Sequence, residues 1–227
     1  VLGGILEAPA RPFVAVVGGA KVADKLEVLK VLATKVDTLI VGGGMAFTFL
    51  AARGQHVGNS LFDEAHLEDC RTLLESGVRI LLPTDTRALE PGGSFGPPSE
   101  GEGHKGSVKI IEGDLPDGWT GLDIGPDSAA AFAAAVGDAG TVLWNGPLGA
   151  FEDRRFAEGT RVVAEAVAHA PGFSVVGGGD SASALEELGL KDKVGYLSTG
   201  GGASLTFIES EGHLPGIDAL RAAPNAP

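Results

Sequence analysis

The feature that most constrains this chain is a unit that recurs about five times: a short apolar run, a glycine-rich turn, then apolar residues at helical spacing. Phe13 to Val17 (FVAVV) runs into Gly18-Gly19-Ala20-Lys21, after which Val22, Leu26, Leu29 and Leu32 fall three or four apart and predict one helical face. Thr38 to Val41 (TLIV) runs into Gly42-Gly43-Gly44 and a helical Met45 to Ala52. Thr141 to Trp144 (TVLW) leads through Asn145-Gly146-Pro147 to a helical Ala157 to Ala168. Phe173 to Val176 (FSVV) leads through Gly177-Gly178-Gly179-Asp180 to a helical Ser181 to Leu188. Val194 to Leu197 closes the series, ahead of Ser198-Thr199-Gly200-Gly201-Gly202 and Ala203-Ser204-Leu205. A strand buried on both faces has no polar side to alternate, so it reads as a continuous apolar run, and strands separated by helices pair in parallel. An open α/β sheet follows. Between Pro91 and Gly118 the pattern gives way to Gly, Pro, Ser and Glu, with strand character only at Ser107 to Ile111, which predicts a surface excursion.

Composition narrows what such a sheet does. At 227 residues, 44% hydrophobic, the chain is long enough to bury one sizeable core without a disulfide or structural metal. Its one cysteine, Cys70, cannot pair internally or build a thiolate zinc site, which favours a reducing, cytoplasmic setting. Seventeen basic against 30 acidic residues leave a formal charge of −13, which repels polyanions and argues against nucleic-acid or anionic-membrane partners. No apolar run approaches the ~20 residues of a membrane-spanning helix, and the N-terminus lacks the look of a signal peptide. His56, His66, His104, His169 and His213 are too scattered to suggest a catalytic dyad or metal pair and are expected at the surface.

In an open α/β sheet, ligands collect in the crevice beyond the carboxyl ends of the strands, where each of these glycine turns must lie. Glycine allows close backbone approach, so N–H groups at a helix start can face one anion with the helix dipole behind them. Any single turn is equally well explained by the frequency of glycine in such loops; several turns on one rim favour a phosphate ligand. The Walker pattern GxxxxGK[ST] and the G-x-S-x-G elbow are absent. Gly177, Gly179 and Ala182 satisfy the dinucleotide pattern, but Asp192 comes too early for the ribose acid, so a dehydrogenase is the weaker alternative.

Lys21 and Lys25, four apart at the expected start of the first helix, are predicted to share a helical face beside the Gly18-Gly19 turn. Cations there oppose the helix dipole by roughly 0.3–1 kcal/mol each, so an anionic partner nearby would explain the pair, as would simple solvation. Asp180 follows three glycines at a helix start, where it suits either an N-cap or a hard oxygen donor to Mg²⁺.

Six ordered motifs then point to a family. Val17-Gly-Gly-Ala-Lys-Val-Ala-Asp-Lys25, Val41-Gly-Gly-Gly-Met-Ala-Phe-Thr-Phe-Leu50, Leu122-Asp-Ile-Gly-Pro126, Trp144-Asn-Gly-Pro-Leu-Gly-Ala-Phe-Glu152, Val176-Gly-Gly-Gly-Asp-Ser181 and Ser198-Thr-Gly-Gly-Gly-Ala-Ser204 closely resemble the C-terminal, nucleotide-binding half of phosphoglycerate kinase, from about Arg11 to Leu220. The resemblance implies a single Rossmann-like domain with an open parallel sheet and helices on both faces. It implies phosphoryl transfer between 1,3-bisphosphoglycerate and ADP to give 3-phosphoglycerate and MgATP. Lys25 would hold the α-phosphate side of the nucleotide and Lys21 the transferring group. Gly19, Gly43, Gly44, Gly121, Leu122 and Pro147 would line the adenosine pocket, with Asn145 near the phosphates and Glu152 on the ribose. Asp180 would take Mg²⁺, Gly178, Gly179 and Ser181 would present N–H groups to phosphate, and Gly201 and Gly202 would close the site, with Gly179 and Gly202 nearest the chemistry.

The same resemblance implies boundaries and partners. Residues 1–12 would be an interdomain segment, 13–212 the nucleotide-binding domain, and 213–227, with Leu214-Pro-Gly216, a tail returning to an N-terminal domain that this chain does not include. That domain carries the Arg and His cluster for the acidic three-carbon substrate, so this chain alone is expected to bind ADP or ATP, as a monomer, and to be nearly inactive. Ser181 stands where the family commonly has Thr, and Tyr196 where it commonly has His.

Overall fold

A computed structural model describes residues 1–96, 105–198 and 200–214. Its main sheet begins with β1 (Phe13–Val17) and β2 (Thr38–Val41), both buried at every position. It continues with β3 (Arg79–Leu81), β7 (Thr141–Asn145), β8 (Phe173–Gly177) and β9 (Tyr196–Ser198). The six strands lie in the order β3-β2-β1-β7-β8-β9 and all pair in parallel. Numbered by appearance within this sheet the order is 3-2-1-4-5-6, which is the doubly wound arrangement, and the winding reverses between β1 and β7.

Successive side chains of each strand point to opposite faces, and the core divides accordingly. Phe13, Ala15 and Val17 of β1 join Leu39, Val41, Leu143 and Val175 in one apolar layer, while Val14 and Val16 join Ile40, Val142, Trp144 and Val176 in the other. The first layer is covered by α1 (Leu2–Glu7), α2 (Leu26–Ala33), α3 (Ala46–Ala52), α4 (Leu67–Leu74) and α8 (Gly201–Glu209). The second is covered by α5 (Pro126–Gly137), α6 (Glu158–His169) and α7 (Gly179–Glu187). Helices therefore flank both faces, as expected, and Trp144, fully buried, contributes its whole apolar surface to the second layer.

One expectation needs extending and one needs correction. The excursion is a mostly exposed segment among its described residues, and its one strand joins a second sheet: β4 (Asp85–Leu89) pairs antiparallel with both β5 (Val108–Glu112) and β6 (Thr120–Ile124). The strand expected at Ser107 to Ile111 is β5, displaced by one residue. Its neighbours escaped notice because polar residues hold buried positions in them: Asp85 and Thr86 in β4, Asp123 in β6. Second, the first helix does not begin at Val22. It starts at Leu26 with Lys25 as its N-cap, so Lys21 and Lys25 do not share a helical face. Val22 is buried in its own right, which let the apolar spacing run on through a loop.

Candidate functional site

The loops beyond β1, β2 and β7 meet at the reversal point and are bonded to one another through their backbones. The Gly18 N–H donates to the Asn145 carbonyl at 2.9 Å, Met45 N–H to the Gly19 carbonyl at 3.0 Å, and Gly43 N–H to the Leu148 carbonyl at 3.0 Å. Side chains would part them. A Cβ on Gly43, whose φ is +69°, would stand 2.6 Å from the Gly19 carbonyl oxygen, and one on Gly18 would overlap the Pro147 carbonyl.

Lys25 lies in the middle of this junction. Its Nζ donates to the Gly18 carbonyl at 2.6 Å, the Asn145 Oδ1 at 2.5 Å and the Asn145 carbonyl at 3.2 Å. Burial pushes its pKa down from 10.5 to about 8, against the pull of Asp180 and then Asp24. Asn145 is held in turn, its Nδ2 donating to the Gly177 carbonyl at 2.9 Å, and the fully buried Ser181 hydroxyl accepts the Gly146 N–H at 2.7 Å. The network ties the ends of β1, β7 and β8 together and places one cationic group within the rim junction.

Above it opens a cavity of about 530 Å³. Gly19, Gly43, Gly44 and Pro147 form one side, Gly121 and Leu122 of β6 another, with Glu152 and Asp180 at the edge. Eight residues singled out from the sequence thus converge on one space. Lys25, Asn145 and Ser181 form the junction beneath it. Gly178 is the N-cap of α7 at φ +102°, and a Cβ on Gly201, the first residue of α8, would stand 2.8 Å from the Gly178 Cα, so the starts of the two helices adjoin. Among the described residues, no side chain meets the first N–H groups of either helix, which leaves two positive helix ends side by side.

Asp180 does not cap α7; the turn spends one glycine fewer than expected, Gly178 takes that place, and the carboxylate stands exposed as the second helical residue. Lys21 lies apart from the main cavity. It is exposed and lines a neighbouring cavity of about 370 Å³ with Thr48, Phe62, Asp63 and Glu64, the two spaces sharing Ala20 and Leu61. Sequence reasoning missed Ala20, Asn59, Leu61, Phe95, Thr120, Gly149 and Ala150 as lining of the main cavity. The exposure of Leu61 at 50% and Phe95 at 56% is the signal they carry, and it is visible only in three dimensions.

Elsewhere the chemistry is quiet. Burial pushes the Cys70 thiol up to about 12, so it is a poor nucleophile. His56, His169 and His213 are exposed, His66 is half-buried, and His104 lies outside the described residues, as do Thr199 and the tail from residue 215. Among the described residues there is no group of three or more His, Cys, Asp or Glu placed to hold a metal, and no helix long and apolar enough to cross a membrane.

Sheet order and glycine rim define a doubly wound α/β protein with a crevice at its reversal point and a half-buried lysine in the junction beneath it. The family model for phosphoglycerate kinase matches residues 1–211. The chain is 52% identical to the phosphoglycerate kinase of Parafrankia sp. over 223 residues, 97% of this chain and 53% of that one. It is 53% identical to that of Corynebacterium urealyticum over 225 residues, 97% and 54% of the respective lengths. The structure of phosphoglycerate kinase from Coxiella burnetii superposes with a TM-score of 0.87 at 40% identity, covering 96% of this chain and 55% of that one. The chain belongs to the phosphoglycerate kinase family and spans about half the length of the relatives it matches.

Proposed function

We propose that this chain is the C-terminal, nucleotide-binding half of a phosphoglycerate kinase, holding MgADP or MgATP in the 530 Å³ cavity at the reversal point. The observation that carries the reading is the convergence of the glycine loops and Asp180 of the uncapped α7 start on that cavity, with Lys25 in the junction beneath it and the uncapped start of α8 adjoining that of α7. Phosphoryl transfer asks a protein chiefly for positioning and charge neutralisation, and these groups provide both. Lys25 would meet the α-phosphate side. Gly178, Gly179 and Ser181 would offer N–H groups, and Gly201 and Gly202 would approach the transferred group. Glu152 would take the ribose, and Lys21 would reach the terminal phosphoryl from the adjoining loop.

Magnesium fits the donors present. Mg²⁺ keeps several waters and commonly takes one or two carboxylates plus phosphate oxygens, so a lone exposed Asp180 at the cavity edge suits it better than a closed cage would. Bound there with the nucleotide, the ion would offset phosphate charge. The acidic three-carbon substrate would be met by the other half of the protein.

Isothermal titration of ADP with Mg²⁺ into this chain tests the reading, saturable heat being expected; silence from a folded sample rejects it. Lys25→Met is expected to weaken ADP at least about tenfold, one lost charge-assisted contact. Because an anion favours the charged amine, unaltered affinity should also decline as pH rises through about 8, and the variant should lose that decline. Adding a separately prepared N-terminal half should restore transfer to 3-phosphoglycerate.

A further inference from the structure

Phe95 is an anomaly in its own neighbourhood. It is a large aromatic, 56% exposed, set between Ser94 and Gly96 in a glycine-rich segment with little stiffness of its own, yet it lines the main cavity together with Gly149, Ala150 and Glu152. The peptide groups on both sides of it are gripped by one pair of side chains. Arg155 Nη2 donates to the Ser94 carbonyl at 2.7 Å, and the Gly96 N–H donates to Asp153 Oδ2 at 3.3 Å. Arg155 Nη1 reaches the Gly106 carbonyl at 3.3 Å, where the chain returns.

The grip is rigid. Arg155 and Asp153 form a fork, Nη2 to Oδ2 at 2.7 Å and Nε to Oδ1 at 3.1 Å, and Asp153 also accepts the Arg155 N–H at 3.0 Å. The Asp153 side chain is wholly buried and that of Arg155 is 21% exposed. The guanidinium lies over the buried Phe156 ring, 5.2 Å from its centroid, which fixes the plane of the fork. Asp153 N–H donates to the Ala150 carbonyl at 3.0 Å, so the same carboxylate residue is anchored to the loop whose Ala150 and Glu152 also line the cavity.

We infer that Asp153 and Arg155 are a positioning pair that holds Phe95 as the base-facing wall of the cavity, and so sets affinity for the nucleoside end of the ligand without touching its phosphates. The inference rests on the nucleotide reading above. An aromatic ring whose backbone is held at the cavity wall can stack on a planar heterocycle, whereas Lys25 and the helix starts act on the anionic end. The two ends of the ligand are then served by separate residues, and the pair acts on one of them.

The test compares ADP with inorganic tripolyphosphate, each titrated into the unaltered chain and into Arg155→Met, Phe95→Ala and the double variant, with melting curves to confirm folding. Arg155→Met and Phe95→Ala are each expected to lose about tenfold in ADP affinity, what one base–aromatic stack is worth, with tripolyphosphate within twofold of unaltered and the double variant no worse than Phe95→Ala. Arg155→Lys, keeping the charge but losing the fork, should fall between. Unchanged ADP affinity in Arg155→Met, equal losses for both ligands, or additive losses in the double variant overturn the inference and leave the nucleotide reading standing. If the unaltered chain binds tripolyphosphate but not ADP, both fall. Should Arg155→Met fail to fold, Phe95→Trp substitutes: its emission is expected to respond to ADP and not to tripolyphosphate, and the reverse refutes the wall.

Discussion

Helices that start beside the second sheet and helices that start on the glycine rim are finished differently at their first turn. At the start of α5, Asp85 of β4 accepts the Asp127 N–H at 3.1 Å and the Ser128 N–H at 2.8 Å, and the Ser128 hydroxyl returns a short hydrogen bond to the same carboxylate. At the start of α6, Asp123 of β6 accepts the Gly159 N–H at 2.8 Å. Both carboxylates are buried, at 2% and 3% exposure. The starts of α7 and α8 receive nothing comparable from any described side chain, although the fold has shown twice that it can reach such donors with a strand-borne acid. Orphan N–H groups cost free energy when buried and are harmless when exposed or ligand-bound. The contrast teaches that bare helix ends on the rim are a property of that rim, and it separates helix starts closed by a strand-borne acid from those that no described side chain closes.

The sharpest way to break the contrast is to remove a structural cap. Asp85→Ala would leave the buried Ser128 N–H and the part-buried Asp127 N–H without their acceptor and the Ser128 hydroxyl with only the Asp85 main-chain carbonyl, and urea denaturation is expected to show a loss of about 3–5 kcal/mol. ADP affinity of the surviving folded fraction should hold within twofold. A loss below about 1 kcal/mol would mean that the Asp85 cap is as dispensable as the missing ones.

Legibility in the sequence follows the same division. FVAVV and TLIV coincide with β1 and β2 in both bounds, and the runs at Thr141 and Phe173 with β7 and β8 to within a residue, because strands buried on both faces leave no room for polar side chains. β4 and β6 were hidden by the acids that cap α5 and α6, since a buried carboxylate in a strand looks like a turn residue until its partners in space are known. Most of the cavity was legible through its glycines, whose role is close backbone approach. Lys25 was legible as a cation but misplaced on a helix face. The wall made by Phe95 was not, because it depends on Asp153 and Arg155 reaching across some 60 residues of chain, a contact that no local pattern encodes.

A smaller effect separates the two caps from each other. Burial pushes Asp123 from 3.8 up to about 7, with the Gly159 and Ile124 N–H groups and Arg87 working against the rise and Glu158 adding to it. The folded chain therefore keeps a proton that the unfolded chain releases. The stability this supplies is fully present below about pH 4 and is lost as pH rises through about 7, a change of a few kcal/mol. Asp123→Asn has no proton to lose, so its stability should lie below that of the unaltered chain at pH 4 and close the gap by pH 8. Parallel stability curves for the two proteins across that range would show that the Asp123 carboxylate does not carry the dependence.

The smallest expected effect tests the rim from the other direction, by supplying the cap it lacks. Gly200 is the N-cap of α8 at φ −88°, a value open to any residue, and a Cβ there would meet only ordinary contacts, Ala203 Cβ at 3.8 Å and Ser198 Oγ at 4.0 Å. Gly200→Asp would place a carboxylate where it can accept from the first turn, and exchanging glycine for a better cap at such a position is worth only a few tenths of a kcal/mol. The free chain is therefore expected to melt slightly higher or unchanged. Nucleotide binding should respond in the opposite sense: the new carboxylate occupies the N–H groups proposed for phosphate and repels it, so ATP should weaken several-fold and ADP, a phosphate shorter, less. Gly200→Ser, which caps without charge, separates the two contributions, since a loss shared by Ser comes from occupied donors and a loss confined to Asp comes from repulsion. If both variants bind ATP as the unaltered chain does, the open end of α8 serves no anion, and the contrast with α5 and α6 reduces to a difference in exposure.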